Sequence, residues 1–205
     1  MRNVILSPHY DDAVFSCYGL IKNDNSLVIN IFTGHPKKAQ YKLWDLICGE
    51  INSTKMMVRR KAENESVFNE LGINFLDLGF QENQYQKNRN ILEIEQAIRR
   101  NLNAGDIVYA PVAKSRIFRH PDHVLINSVA KNLSKDFKVK YYLDVPYMNP
   151  RAKHTDEETL RLNKSETTNK LNLAKKYKTQ FRATNLISLG NLKRSINSGL
   201  EKYFK

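Results

Sequence analysis

Residues 7–12, SPHYDD, place a histidine next to two adjacent carboxylates, His9 beside Asp11 and Asp12, directly after the apolar run Val4, Ile5 and Leu6. A helix start needs one capping carboxylate. A pair preceded by an imidazole suits a metal centre better, because imidazole nitrogen and carboxylate oxygen are both zinc ligands. Three protein ligands would leave a fourth position open for water, as a catalytic zinc site requires. One aspartate would then be a ligand, leaving its neighbour free to take a proton from a water whose pKa zinc lowers from about 15.7 to about 7. A second cluster, RHPDH at 119–123, offers His120 and His123 to complete the set. Ferrous iron is the expected substitute under reducing conditions, since no thiolate is involved.

Both clusters need elements that bring them together. Five short runs rich in β-branched, aromatic or other apolar residues read as strands: NVILS, SLVINIFT, NFLDLGF, DIVYAPV and KVKYYLDVP. Between them lie helical patterns at 14–22, 54–71 closing at Gly72, 91–102 and 121–133, with another at 164–177. This alternation predicts an α/β fold, a Rossmann-like and mostly parallel sheet flanked by helices, and 205 residues at 41% hydrophobic suit a single domain over 1–205. SPHYDD leaves the first strand and RHPDH follows the fourth. If those strands are neighbours, both clusters meet at their carboxyl ends, where open α/β sheets bind ligands. Pro8 holds Ser7 extended, and Pro121 suits a first helical turn. The long irregular stretches 34–53 and 144–163 are the candidate walls of the site.

Cys17 and Cys48 form no CxxC pair and read as reduced residues in or near the core. No apolar run has the length of a signal-peptide core or a membrane span, so a cytoplasmic protein is expected. The formal charge is +12, and residues 151–205 carry 13 Lys and Arg against five Asp and Glu. Such a basic segment suits an anionic substrate or a peripheral membrane contact. Nucleic acid is not favoured, because no binding-module signature accompanies the charge.

With these residues in view, the sequence resembles the PIG-L-like (LmbE-like) family of zinc-dependent de-N-acetylases, which act on N-acetylglucosamine conjugates. SPHYDDAVFSCYG is similar to the family's first motif and HPDH to its second. FTG at 32–34, the stretch 44–72 and LAKKYKTQ at 173–180 extend the resemblance over most of the chain. The resemblance implies His9, Asp12 and His123 as metal ligands and Asp11 as general base. It further implies that His120 stabilises or protonates the tetrahedral intermediate, and that Asp122 orients His120. The implied activity is zinc-dependent hydrolysis of a linear amide, removing acetyl from an amino-sugar conjugate. Another zinc amidase or esterase is the alternative, as is a non-catalytic basic protein that binds glycan or nucleic acid.

Tyr10 stands where the family often has proline, and Ala13 where glutamate is common; neither change removes a ligand or the base. Phe118 occupies a position where some relatives carry a tyrosine thought to assist the intermediate. Arg60, in the family-like helix, is a candidate substrate contact. So are Trp44, as a sugar-stacking wall, and His35, just past the second strand. His154 is read as a bystander. The expected partner is a small amino-sugar conjugate, anionic if the basic segment serves it; oligomeric state is left open.

Overall fold

The computed structural model describes residues 1–23, 25–113, 120–151 and 157–205. In chain order the elements are β1 (Asn3–Ser7), α1 (Asp12–Ile21), β2 (Ser26–Asn30), α2 (Leu43–Ile47), α3 (Ser53–Leu71), β3 (Asn74–Asp77), α4 (Ile91–Arg99), β4 (Ile107–Pro111), α5 (Pro121–Leu133), β5 (Lys138–Tyr142), β6 (Glu157–Arg161), α6 (Lys164–Ala174), α7 (Lys178–Ile187), α8 (Asn191–Asn197) and β7 (Leu200–Phe204). They build one seven-stranded sheet of order β3-β2-β1-β4-β5-β7-β6. The first five strands run parallel, while β7 pairs antiparallel with both β5 and β6.

Successive strand residues point to opposite faces, and here both faces are apolar. Ile5, Val28 and Tyr109 enter one core with Val14, Phe15, Phe68 and Leu173 from the helices. Val4, Leu6, Ile29 and Val108 enter the other with Ile94, Ile98, Ile126 and Val129. Helices therefore cover both sides, and this explains why the parallel strands read as near-continuous apolar runs. Helix starts follow local chemistry. Asn52 accepts from Thr54 N–H at 3.0 Å and Lys55 N–H at 3.1 Å to cap α3, which ends at Gly72 with φ 65°. The Asn163–Glu166 capping box opens α6.

Neither β6 nor β7 is among the five strands expected, and the helix expected over 164–177 ends at Ala174, with α7 and α8 beyond it. β7 conceals its strand character because Glu201 and Lys202, which read as surface residues, are buried. Glu201 accepts from Gly19 N–H at 2.9 Å, Lys170 Nζ at 2.7 Å and Tyr203 Oη at 2.8 Å, tying the C-terminal strands to α1.

β1 lies between β2 and β4, so strand order reverses there and a crevice opens at their carboxyl ends. One wall of that crevice depends on a glycine. Gly34 N–H donates to Phe80 O at 2.8 Å, and a Cβ on Gly34 would come within 2.2 Å of Gly79 O. Backbone is the obstacle, so no side chain can swing aside. Gly34→Ala is expected to cost about 1–3 kcal/mol of stability, read as a lower urea midpoint. An unchanged midpoint would show that the 34–80 contact is loose.

Candidate metal centre

The turn after β1 is closed by Ser7, whose Oγ donates to His9 O at 2.5 Å and accepts from Ala13 N–H at 3.1 Å. Ser7 thus satisfies a first-turn amide of α1. Asp11 occupies the N-cap position yet makes no side-chain capping bond, and its buried carboxylate lines a cavity of about 310 Å³. Asp12 Oδ2 accepts His9 N–H at 2.8 Å.

The turn after β4 arrives opposite. Asp12 Oδ2 lies 3.2 Å from His9 Nδ1 and 3.3 Å from His123 Nε2. His123 is buried, and its Nε2, though close to Asp12, makes no well-aligned hydrogen bond. Such an atom costs about 1–3 kcal/mol unless something else engages it. Ligand atoms about 2.0–2.2 Å from a tetrahedral zinc lie about 3.3–3.6 Å apart, close to the two separations observed. The donor set therefore fits a divalent ion. His120 stands close enough to compete, since His9, His120 and His123 offer ring nitrogens all within 4.8 Å of one another.

The second nitrogen of His9 and of His123 faces a carboxylate. His9 Nε2 lies 2.9 Å from Asp122 Oδ2, and His123 Nδ1 lies 3.4 Å from Asp144 Oδ1. Such outer partners fix the ring orientation and tautomer of metal-binding histidines. Asp122 is itself held by Asn83 N–H at 3.1 Å and by an ion pair with Arg89, whose guanidinium sits 4.8 Å over the Phe32 ring. Asp144 Oδ2 accepts from Ala113 N–H at 2.7 Å.

The expected pairing of Asp122 with His120 is therefore corrected. The Asp122 carboxylate approaches His120 Nδ1 only to 3.9 Å, because Arg89, Asn83 and His9 hold it. His120 Nδ1 instead accepts from the Asp122 backbone N–H at 3.3 Å, as N-cap of α5.

Burial, reinforced by the charge of Asp12, pushes the Asp11 carboxyl up to about 7. Burial also opposes ionisation of Asp12, but His123 and His9 hold it well below the carboxylate range. For His123, burial acts downward and is overridden by Asp12 and Asp144, which lift it to about 10. A second ring proton and a bound cation are exclusive alternatives on each of these histidines. Burial and the neighbouring histidines push His120 down to about 3, leaving it neutral.

Trp44 and Arg60 line the cavity with Asp11, His120 and Tyr147. Arg60 is not a solvated helix arginine. It is buried, 2.6 Å from Glu82 Oε1 and 3.4 Å from Asp45 Oδ1, so its charge is compensated within the protein. His35 is a second correction: it is exposed and does not line the cavity, because the Gly34–Phe80 pairing leaves the next residue outside. Lys175, Lys176 and Lys178 of the basic segment do not line it either. Phe118 and His154 lie outside the described residues. Sequence reasoning missed Arg89, Asp144 and Tyr147. Tyr147 places its ring centroid 5.5 Å from His123 and 6.2 Å from His120. Asp144 and Tyr147 sit at the start of the expected wall 144–163, which gave their location but not their role.

Residues 4–134, from β1 through α5, match the family described as PIG-L, GlcNAc-PI de-N-acetylase. The chain belongs to the PIG-L family. The match spans both clusters that form the centre. Comparison with curated proteins gave no match. Among solved structures, a deacetylase of the teicoplanin biosynthetic pathway is 19% identical with a TM-score of 0.80, over 99% of this chain and 96% of that one. The N,N'-diacetylchitobiose deacetylase from Pyrococcus horikoshii is 16% identical with a TM-score of 0.60, over 87% and 70%. The 4-carboxy-2-hydroxymuconate hydratase from Pseudomonas putida is 15% identical with a TM-score of 0.58, over 95% and 84%. These likenesses carry the PIG-L fold past residue 134 into the C-terminal strands. A hydratase on the same fold means that the fold alone does not select the chemistry.

Proposed function

We propose that this PIG-L protein is a divalent-metal hydrolase, zinc being the first choice of ion, that removes the acetyl group from an N-acetylated amino-sugar conjugate. The observation that carries the reading is Asp11, a buried carboxylate with no capping duty, set beside Asp12 Oδ2, which lies 3.2 Å from His9 Nδ1 and 3.3 Å from His123 Nε2. Family membership and the deacetylases among the structural neighbours support it.

His9, Asp12 and His123 would hold the ion. When bound it supplies a water of lowered pKa and polarises the acyl oxygen. Asp11 takes the proton from the attacking water, a role suited to a carboxylate lifted by burial toward neutrality. His120, neutral and at the cavity wall, is placed to stabilise the tetrahedral intermediate, and Asp11 or His120 returns a proton to the departing amine. Tyr147 lines the same wall.

The cavity's charge bears on the ion. Among the described residues, Asp11, Asp12, Glu82 and Asp122 line it with Arg60, and Glu82 and Asp122 are paired with Arg60 and Arg89. A divalent ion would offset the two carboxylates left, Asp11 and Asp12. Lys175, Lys176 and Lys178 of the basic C-terminal segment are not among the residues that line the cavity.

The test is metal analysis of the purified protein combined with an acetate-release screen over N-acetylamino sugars and their conjugates. About one ion per chain and acetate release from at least one sugar amide are expected. Release only from esters or other amides would favour the alternative hydrolase, and an enduring lack of metal after zinc addition would overturn the reading. A further expectation concerns the outer carboxylate. Asp122→Asn is expected to weaken metal affinity about 10- to 100-fold, measured by competition with a chelator. Unchanged affinity would mean that His9 needs no carboxylate to orient it.

A further inference from the structure

α2 has its polarity reversed. Its one charged residue, Asp45, is fully buried, accepting from Tyr85 Oη at 2.7 Å and facing Arg60 Nη2 at 3.4 Å. Leu43, Leu46 and Ile47 face solvent instead, 74%, 56% and 42% exposed. A surface helix ordinarily hides its apolar stripe and shows its charges. Here the buried polar network around Arg60 fixes the opposite orientation.

The exposed apolar surface extends to Tyr41 and Ile51 on either side of α2. A second apolar segment, Leu186, Ile187 and Leu189, lies at the end of α7, and Leu189 is 83% exposed. The two segments meet at the cavity, which both Trp44 of α2 and Ile187 of α7 line. Trp44 also packs on the cluster of Cys48, Met56 and Ala183, which joins the two regions. Among the described residues, eight of the thirteen large apolar side chains left exposed thus belong to these two segments, and Ile187 itself lines the cavity. Scattered exposed apolar residues are normal, but a gathered patch marks an interaction surface.

The charge around the patch selects the partner. Exposed Lys37 and Lys38 and half-buried Lys42 lead into α2, and exposed Lys55 and Arg59 follow it. Arg182, Lys193 and Arg194 are exposed around the second segment, and no acidic residue occurs between 182 and 194. The only carboxylates between 37 and 59 are Asp45, which is buried, and Glu50, which lies 3.9 Å from Arg59. Apolar side chains within a basic collar match the boundary between acyl chains and anionic headgroups.

We propose that this face docks on an anionic lipid bilayer, inserting α2 and the end of α7 among the headgroups and turning the cavity mouth toward the membrane surface. No helix among the described residues is long and apolar enough to cross a membrane, so the contact is peripheral. Docking does not depend on the hydrolase reading, and binding and turnover are measured separately.

Co-sedimentation with vesicles of phosphatidylcholine, alone or mixed with phosphatidylglycerol, tests the proposal. The full chain is expected to pellet with the mixed vesicles, less so as salt is raised, and little with phosphatidylcholine alone. Replacing Leu43→Ser, Leu46→Ser and Leu189→Asn together should lower the partition coefficient about tenfold or more, with the thermal melt and metal content unchanged. Asparagine is chosen because residue 189 has φ 49°, which asparagine tolerates better than leucine. In a separate variant, replacing Lys37, Lys38 and Lys42 together with glutamine should reduce the preference for phosphatidylglycerol. The proposal is overturned if the wild type stays in the supernatant, or if the apolar variant binds as well as the wild type. It is also overturned if sedimentation velocity without lipid reveals a dimer that the same apolar substitutions dissolve, since the face would then belong to a second copy.

Discussion

Asp11→Asn is expected to keep its metal and its fold while losing about 100- to 10,000-fold in kcat, the range of a general base. The substitution preserves shape and removes only the ability to accept a proton. Capping of α1 is not at stake, because Asp11 makes no capping bond and Ser7 Oγ already accepts from Ala13 N–H. Nor should stability suffer. Burial and the charge of Asp12 both disfavour the ionised Asp11 carboxylate, so a neutral side chain there should not lower the melting temperature at neutral pH. Metal content by elemental analysis, a thermal melt and acetate release separate these effects. Near-normal turnover in the variant would show that another group activates the water.

The first half of the site was legible because its chemistry is local. A histidine followed by two aspartates at a strand end is a sequence pattern, and the turn that Ser7 closes delivers it to the crevice. The second cluster was legible through Pro121, which marks the first turn of α5 and places His120 at its cap. What remained hidden depends on tertiary contact. Arg89 is an isolated arginine in sequence and becomes part of the site only because the chain after β3 lays it over Phe32 and against Asp122. Asp144 meets His123 only because β4 and β5 pair and align Ala113 with it. The Asp122–His120 pairing was misjudged for the same reason: neighbours in sequence compete with partners brought by the fold, and Arg89, Asn83 and His9 prevail.

The fold divides in a similar way. The central parallel strands β1, β2 and β4 are buried on both faces and announce themselves as apolar runs, while β3 and β5 are only partly buried. β6 and β7 have no such run, since β7 buries Glu201 and Lys202 and β6 is largely exposed at the sheet edge. A glutamate that satisfies Gly19, Lys170 and Tyr203 at once is indistinguishable in sequence from one in water. The reversed α2 is a stronger case. Periodicity would bury Leu43, Leu46 and Ile47, but Tyr85 and Arg60 claim Asp45 and rotate them outward.

Asp12→Ala and His123→Ala are expected to lose metal outright, with affinity falling by more than about 100-fold, beyond the loss of an outer partner. His120→Ala is expected to retain it. The two possible triads share His9 and His123 and differ only in whether Asp12 or His120 completes them. Asp12 Oδ2 is in contact range of both other donors, at 3.2 and 3.3 Å. His120 already commits Nδ1 to the Asp122 N–H, and its side chain is 34% exposed at the cavity wall, placed for substrate rather than for the buried centre. Its loss should therefore appear in kcat, by about 100- to 10,000-fold for an acid catalyst, at full metal occupancy. Equilibrium dialysis of the three variants against zinc decides between the triads. If His120→Ala loses metal as completely as Asp12→Ala, His120 is a ligand, and the proton for the departing amine must come from Asp11.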